Sequence, residues 1–214
     1  MARARFDNLE PERQEAILAA AADEFATHGY AGASLNRIID AADISKGSLY
    51  YYFDDKADLF ASVVEGAMDR LFRVVEGLSL EELDRTNFWD RVRQVGLRSV
   101  DLMKEDTWDV RLAMAFPRLR EEPEAGAGVR PLLEWSRDFT TELLRRGREL
   151  RVVRRDLPLE LLVETAMAVD EAGDRWMVDH LDQYEDEEAF RRLVEARIDL
   201  VRDMLDADNE GWER

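Results

Sequence analysis

Apolar residues recur along this chain at intervals of three and four, and no sustained alternating run bounded by turn residues interrupts them, which predicts an all-α fold. Pro11 suits a first helical turn. Ile17, Leu18, Ala21, Ala22 and Phe25 then form one stripe that stops at His28-Gly29, where glycine suits a C-terminal cap. Ser34 is placed to cap a short helix carrying Leu35, Ile38, Ile39 and Ala42 and ending at Asp43, and Ser45 to cap a second one through Phe53. Asp54 or Asp55 opens a long helix along Leu59, Phe60, Val63, Val64, Ala67, Met68, Leu71 and Val75. Beyond Gly77, helical patterns span roughly 87–104 and 108–120, the stretch Glu121 to Gly128 reads as a loop, and helices follow over about 131–150, 158–181 and 187–206. The expected organisation is a three-helix N-terminal head over residues 1–54 and a C-terminal helical bundle over residues 55–214.

Composition narrows the chemistry. With 46% hydrophobic residues among 214, the chain can supply a buried core. Cysteine is absent, which excludes disulfides, thiolate metal sites and cysteine nucleophiles. His28 and His180 are the two histidines, far apart and without a second histidine at ligand spacing, so metal and triad chemistry are poorly supplied. No catalytic residues, no metal and no cofactor are expected, and an enzyme is disfavoured. No run of about 18 apolar residues occurs, and the N-terminus passes from Arg3 and Arg5 to Asp7 and Glu10 without an apolar core, so no membrane association is expected and the cytoplasm is the expected location.

The net charge is -18, and the 30 basic residues comprise three lysines and 27 arginines. Such a surplus ordinarily repels polyanions. A salt-rich cytoplasm is another cause, because the Debye length falls to about 3 Å at 1 M salt and like charges no longer repel over distance. A halophile-like protein would lose stability in dilute buffer.

Two short helices joined by a tight turn make a helix-turn-helix whose second helix is the size that a DNA major groove admits. Generic helix hairpins share that outline, but the second helix is chemically distinctive: Ser45, Lys46, Gly47, Ser48, Tyr50, Tyr51 and Tyr52 crowd hydroxyls, a cation and three phenols into two turns. Leu49 and Phe53, four apart, share the core-facing side and leave the polar residues to a partner.

The run from Gly29 to Leu35, then Ile38 and Ile39, the stretch Ala41-Ala42-Asp43-Ile44-Ser45-Lys46-Gly47-Ser48-Leu49-Tyr50-Tyr51-Tyr52-Phe53, and finally Lys56 with Leu59-Phe60 resembles the DNA-binding signature of TetR-type transcriptional regulators. The resemblance covers about 50 residues. It implies a homodimer whose heads read a palindromic operator in double-stranded DNA and whose C-terminal domain dimerises and binds a small effector. It further implies phosphate contacts from Ser34, Tyr50 and Lys56, the last at a helix N-terminus, and approach to bases by Lys46, Gly47 and Tyr52, with Asn36 and Arg37 near the groove edge. Asp43 stands where the family usually has glycine, a substitution that aspartate's tolerance of left-handed backbone permits, and Tyr51 stands where histidine is frequent. Residues 1–60 hold six bases and eleven acids, a net of -5. Counterion release is then a weak drive, and a shallow salt dependence of DNA binding is expected.

The last two long helices carry broad apolar stripes, from Leu159 to Leu181 and from Phe190 to Leu205, which need covering. The resemblance implies a dimer interface through helices 158–181 and 187–206, with Ala166 and Gly173 allowing close approach; burial within one chain is the alternative. Trp89, Met103, Trp108, Met114, Phe116, Trp135, Phe139, Met167 and Trp176 are the aromatic and flexible side chains from which pockets for drug-sized molecules are built. Asp170 lies on an apolar stripe and needs a partner, either an arginine across a dimer or a cationic ligand. The basic cluster Arg145, Arg146, Arg148, Arg151, Arg154 and Arg155 is either a solvated helix end paired with Glu142 and Glu149 or an anion site. The sequence thus reads as a ligand-responsive transcriptional regulator of the repressor kind, with a ligand-independent or nucleoid-associated DNA-binding regulator as the alternative.

Overall fold

Pro11 opens helix α1 (Pro11–Gly32) in the computed structural model, which describes residues 5–75, 78–102, 105, 107–180 and 187–207. Gly29, at φ 69° and ψ 174°, breaks α1 one turn before its end. Helix α2 (Leu35–Ala41) follows, and Asp43 turns the chain at φ 50° into α3 (Lys46–Tyr52). The left-handed turn expected at Asp43 is therefore present. Ser45 caps α3 as expected, its hydroxyl accepting from Ser48 N at 3.0 Å. Ser34 occupies the N-cap position of α2, but its hydroxyl makes no cap; its own N–H instead donates to Glu24 Oε1 at 2.8 Å. Helix α4 (Lys56–Val75) begins behind a reciprocal pair in which Asp58 N donates to Asp55 Oδ1 and Asp54 N to Asp58 Oδ2.

Beyond α4 lie α5 (Phe88–Leu102), α6 (Trp108–Leu119), α7 (Gly126–Glu149), α8 (Leu159–Asp179) and α9 (Glu187–Leu205). Among the described residues there is no strand, only an antiparallel bridge between Val153 and Asp206. The all-α reading is correct. One boundary differs: the expected loop over 121–128 shrinks to a 3-10 turn (Pro123–Ala125), and α7 starts at Gly126 despite two glycines. Packing overrides propensity there, since Ala125 and Val129 are buried and a Cβ on Gly128 would sit 2.6 Å from Phe60 Cδ1.

Two compact units are present, Met1–Leu71 with Glu105–Leu132, and Phe72–Lys104 with Leu133–Arg214. In the first, Ile17, Ala21, Ala22, Phe25, Ile38, Leu49, Phe53, Leu59 and Phe60 form a buried core. Phe25 and Tyr30 both meet the Phe60 ring edge-on, at 4.8 and 5.2 Å between centroids. Helix α6 packs along α1, where Trp108 Nε1 donates to Glu15 at 2.6 Å and Arg111 Nε to Asp23 at 2.7 Å. In the second, one core gathers Leu83, Phe88, Leu144, Val153, Leu162, Val163, Ala166 and Leu205, and another gathers Val100, Met177, Phe190 and Val194.

Candidate nucleic-acid interface

Leu49 and Phe53 are buried at 1% and 2% exposure, and this pins one side of α3 to the head. The opposite side is left outward: Tyr50 and Tyr51 are 48% and 53% exposed, large values for aromatic rings, with Lys46 and Gly47 exposed beside them. Lys46 Nζ lies 6.0 Å from the centre of the Tyr50 ring. A Cβ on Gly47 would meet only Ser45 Oγ, at an ordinary 3.7 Å. Nothing inside the fold therefore requires glycine there, although glycine costs a helix about 1 kcal/mol relative to alanine. Ser48 is half-buried and bonds Ser45 Oγ through its hydroxyl at 2.8 Å. Tyr52 is half-buried, its ring edge-on to Phe6 at 6.3 Å and to Tyr51 at 5.4 Å. Asn36 is exposed on α2.

The remaining residues singled out by resemblance have work within the chain. Arg37 closes its fork on Glu24, with Nε 2.9 Å from Oε1 and 3.0 Å from Oε2, and donates Nη2 to the Gly32 carbonyl at 2.9 Å. Lys56 Nζ donates to the carbonyls of Tyr30, Ala31 and Ala33 at 2.8, 3.3 and 3.4 Å and stands 4.7 Å over the Tyr30 ring. These two cations brace the corner that leads into α2. Burial raises the Glu24 carboxyl pKa, but the Arg37 fork, the Ser34 N–H and the nearby His28 outweigh it, leaving the group below the usual carboxylate range.

Sequence reasoning missed both carboxylates that hold this corner. Glu24 is buried beside the apolar stripe of α1, and a carboxylate there calls for a cationic partner. Glu122 accepts from Tyr30 N at 2.9 Å and Ala31 N at 2.8 Å, and no local pattern signals it.

The aromatic and methionine set is divided between the two units. Trp108, Met114 and Phe116 belong to α6 in the first unit, where Trp108 is buried against Gly66 and Leu18. Met103 lies outside the described residues. In the second unit, Trp89, Phe139 and Met167 pack on the larger core, and Trp135 stacks on Phe139 at 5.5 Å and meets Phe72 at 4.6 Å. Trp176 is 43% exposed and stacks on His180 at 4.3 Å. Asp170 finds its arginine within the chain: Arg197 Nη2 lies 3.1 Å from Asp170, Arg197 Nη1 also pairs with Asp174, and the stem of Arg197 crosses Gly173, where a Cβ would come within 2.6 Å of Arg197 Cδ. Gly173 thus accommodates a side chain of the same chain, and Ala166 is buried in that chain's own core.

The basic cluster is largely consumed locally. Arg145 pairs with Glu142, Arg146 with Glu149 and the Leu83 carbonyl, Arg148 with the carbonyls of Arg154 and Leu157, and Arg154 with Asp156. An open depression of about 400 Å³ beside it is lined by Leu80, Glu81, Glu142, Arg145, Arg146 and Glu149, none from the aromatic set. Among the described residues no cluster of histidine and carboxylates suits a metal, and no helix is long and apolar enough to cross a membrane.

A helix-turn-helix with one face of its second helix buried and the other presenting a cation and phenols defines a DNA-binding protein. The family model "Bacterial regulatory proteins, tetR family" matches residues 17–63. The transcriptional repressor AcnR of Corynebacterium efficiens is 30% identical over 158 residues, covering 72% of this chain and 77% of that protein. The transcriptional activator FasR of Mycolicibacterium smegmatis is 29% identical over 161 residues, covering 75% of this chain and 71% of that protein. In fold, the transcriptional regulator FadR of Bacillus subtilis, solved in complex with stearoyl-CoA, matches with a TM-score of 0.71 at 19% identity over 87% of this chain and 96% of that one. The chain belongs to the TetR family of bacterial transcription regulators, which are DNA-binding proteins and not enzymes.

Proposed function

We propose that the chain is a repressor that binds a palindromic operator as a homodimer and is released by a small hydrophobic effector. Residues 1–54 read DNA, and residues 55–214 carry dimerisation and effector binding. The observation that carries this reading is the outward face of α3, where Lys46, Gly47, Tyr50 and Tyr51 are exposed and glycine serves no internal purpose. Lys46 donates to a guanine edge, Tyr50 donates to a phosphate, and Gly47 lets the backbone come close. Two such heads would enter successive major grooves about 34–36 Å apart. The repressor AcnR supports the sign, and the activator FasR makes activation the opposite outcome of a promoter-reporter assay. A reader of chromosomal DNA works in the cytoplasm.

The test uses a duplex recovered by selection from a random pool with the purified full chain. Lys46→Ala and Tyr50→Ala are each expected to weaken binding about 5- to 150-fold, the range of one lost recognition contact, with the helical circular-dichroism signal retained. Wild-type affinity in both folded variants would overturn the reading.

For dimerisation, the support is apolar exposure on the last two helices: Leu161 at 49%, Trp176 at 43% and Leu200 at 61%. Leu200→Glu is expected to convert a dimer to a monomer in sedimentation at micromolar concentration; an unchanged sedimentation coefficient places the interface elsewhere. For the effector, the support is the partly buried Trp89, Phe139 and Met167 on one core and the buried Trp89 Nε1, a donor without a partner among the described residues. An effector with an apolar body and one acceptor matches that chemistry. Release follows from population shift, limited by the difference in the effector's affinity for the two states.

A further inference from the structure

We infer that Arg5 is a DNA-phosphate contact at the C-terminal end of α3, an inference that rests on the DNA-binding reading above. The head carries five described basic residues: Arg5, Arg13, Arg37, Lys46 and Lys56. Three are occupied by the protein's own oxygens, Arg13 by the Asp43 carbonyl at 3.2 Å, Arg37 by Glu24, and Lys56 by three carbonyls. Arg5 and Lys46 pair with no carboxylate among the described residues. Each stands on a tyrosine of α3: Lys46 on Tyr50, and the Arg5 guanidinium 4.5 Å from the centre of the Tyr51 ring.

The placement of Arg5 is built into the head. Phe6, 6% exposed, inserts its ring 4.9 Å from Phe53 and 6.3 Å from Tyr52, and this fixes the backbone immediately beside Arg5. The Arg5 side chain is exposed, lies over a half-exposed phenol, and reaches the Tyr51 carbonyl with Nη1 at a long 3.5 Å. A guanidinium carries five N–H donors, more than the single long bond to Tyr51 uses, and its fork matches a phosphate. Tyr51 is the last but one residue of α3. Recognition helices meet base edges with their N-terminal residues, so Lys46 and Gly47 fall at the bases, and the Arg5 end of α3 falls at the backbone. In a stretch with a net charge of -5 over residues 1–60, a cation with no carboxylate partner among the described residues adds, at that end, to the attraction Lys46 supplies at the other.

The experiment measures binding of the full chain to the selected duplex and to a scrambled duplex of equal length, across a salt series. Arg5→Ala is expected to weaken both by a similar factor, about tenfold at low salt, and to reduce the slope of log affinity against log salt by about 0.9. Arg5→Lys is expected to restore the slope, a result that a purely structural helix-end role would not produce. Unchanged slope and affinity in Arg5→Ala would overturn the inference, as would a loss confined to the selected duplex, which would make Arg5 a base reader. Failure of the wild-type chain to bind any selected duplex would instead overturn the DNA-binding reading itself, and this inference with it.

Discussion

Gly29→Ala is expected to destabilise the protein by about 4 kcal/mol, lowering the thermal midpoint by roughly 8–16 °C at the scale of a chain this long. Two costs combine. At φ 69° and ψ 174° the backbone occupies a region that is essentially restricted to glycine, where other residues pay about 1–3 kcal/mol. The added Cβ would also sit 2.5 Å from Glu122 Oε1, so the carboxylate must leave its two N–H donors, Tyr30 and Ala31. A hydrogen bond to a charged group is worth about 1.5–3 kcal/mol, the lower end applying to the exposed Ala31. Glu122→Ala alone is then expected to cost about 3 kcal/mol, and Gly29→Ala made in that background only the backbone strain. A double-mutant cycle by urea unfolding reads the difference. Strict additivity would mean that the carboxylate and the glycine act separately, and would sink the argument.

That cycle bears on DNA binding because of where the corner leads. Residues 30–33, the last turn of α1 beyond the Gly29 break and its cap, lead to Ser34 and α2, and opposite charges grip the segment from both sides: Glu122 takes N–H groups, Lys56 carbonyls. Lys56 therefore supports the corner before the helix-turn-helix through these carbonyls.

The helices were legible in the sequence because each buries one face, and periodicity reports faces directly. Asp43 and Ser45 were legible because turn and cap chemistry are local. What periodicity does not carry is the partner of a charged side chain: Glu122 lies 92 residues from Tyr30, and Glu24 lies 13 from Arg37. The same limit applies to the effector set. Trp108 and Trp135 look alike as aromatic positions on amphipathic helices, but one hydrogen-bonds Glu15 in the first unit and the other stacks on Phe139 in the second. Asp170 reads in the sequence as needing a partner, an arginine across a dimer or a cationic ligand, and the structure pairs it with Arg197 of the same chain. The start of α7 was hidden because its glycines look like a loop until Phe60 is seen against Gly128.

Arg37→Ala is expected to destabilise the head at neutral pH, because it leaves Glu24, with a side chain only 8% exposed, as a buried carboxylate without its fork. The pH dependence gives the sharper signature. In the wild type the Glu24 pKa is below its unfolded value, so its contribution to stability is present above about pH 4.3 and is lost as pH falls through the lower folded value. Without Arg37 the folded pKa rises, because burial is then opposed only by the Ser34 N–H and His28. The variant therefore loses less stability than the wild type as acid protonates the group. The stability gap between wild type and Arg37→Ala is therefore expected to be widest at pH 7 and to narrow toward pH 4. His28 Nε2, 3.7 Å from Glu24 Oε2, is the other titratable group on this carboxylate, and repeating the comparison in a His28→Gln background removes its contribution. Glu24→Gln keeps an acceptor for Ser34 N–H but carries no charge, and in that background the gap between arginine and alanine at position 37 is expected not to vary with pH. A gap that stays constant across the pH range would show that Arg37 stabilises the head through its bond to the Gly32 carbonyl and its packing, and that the buried charge pair contributes nothing.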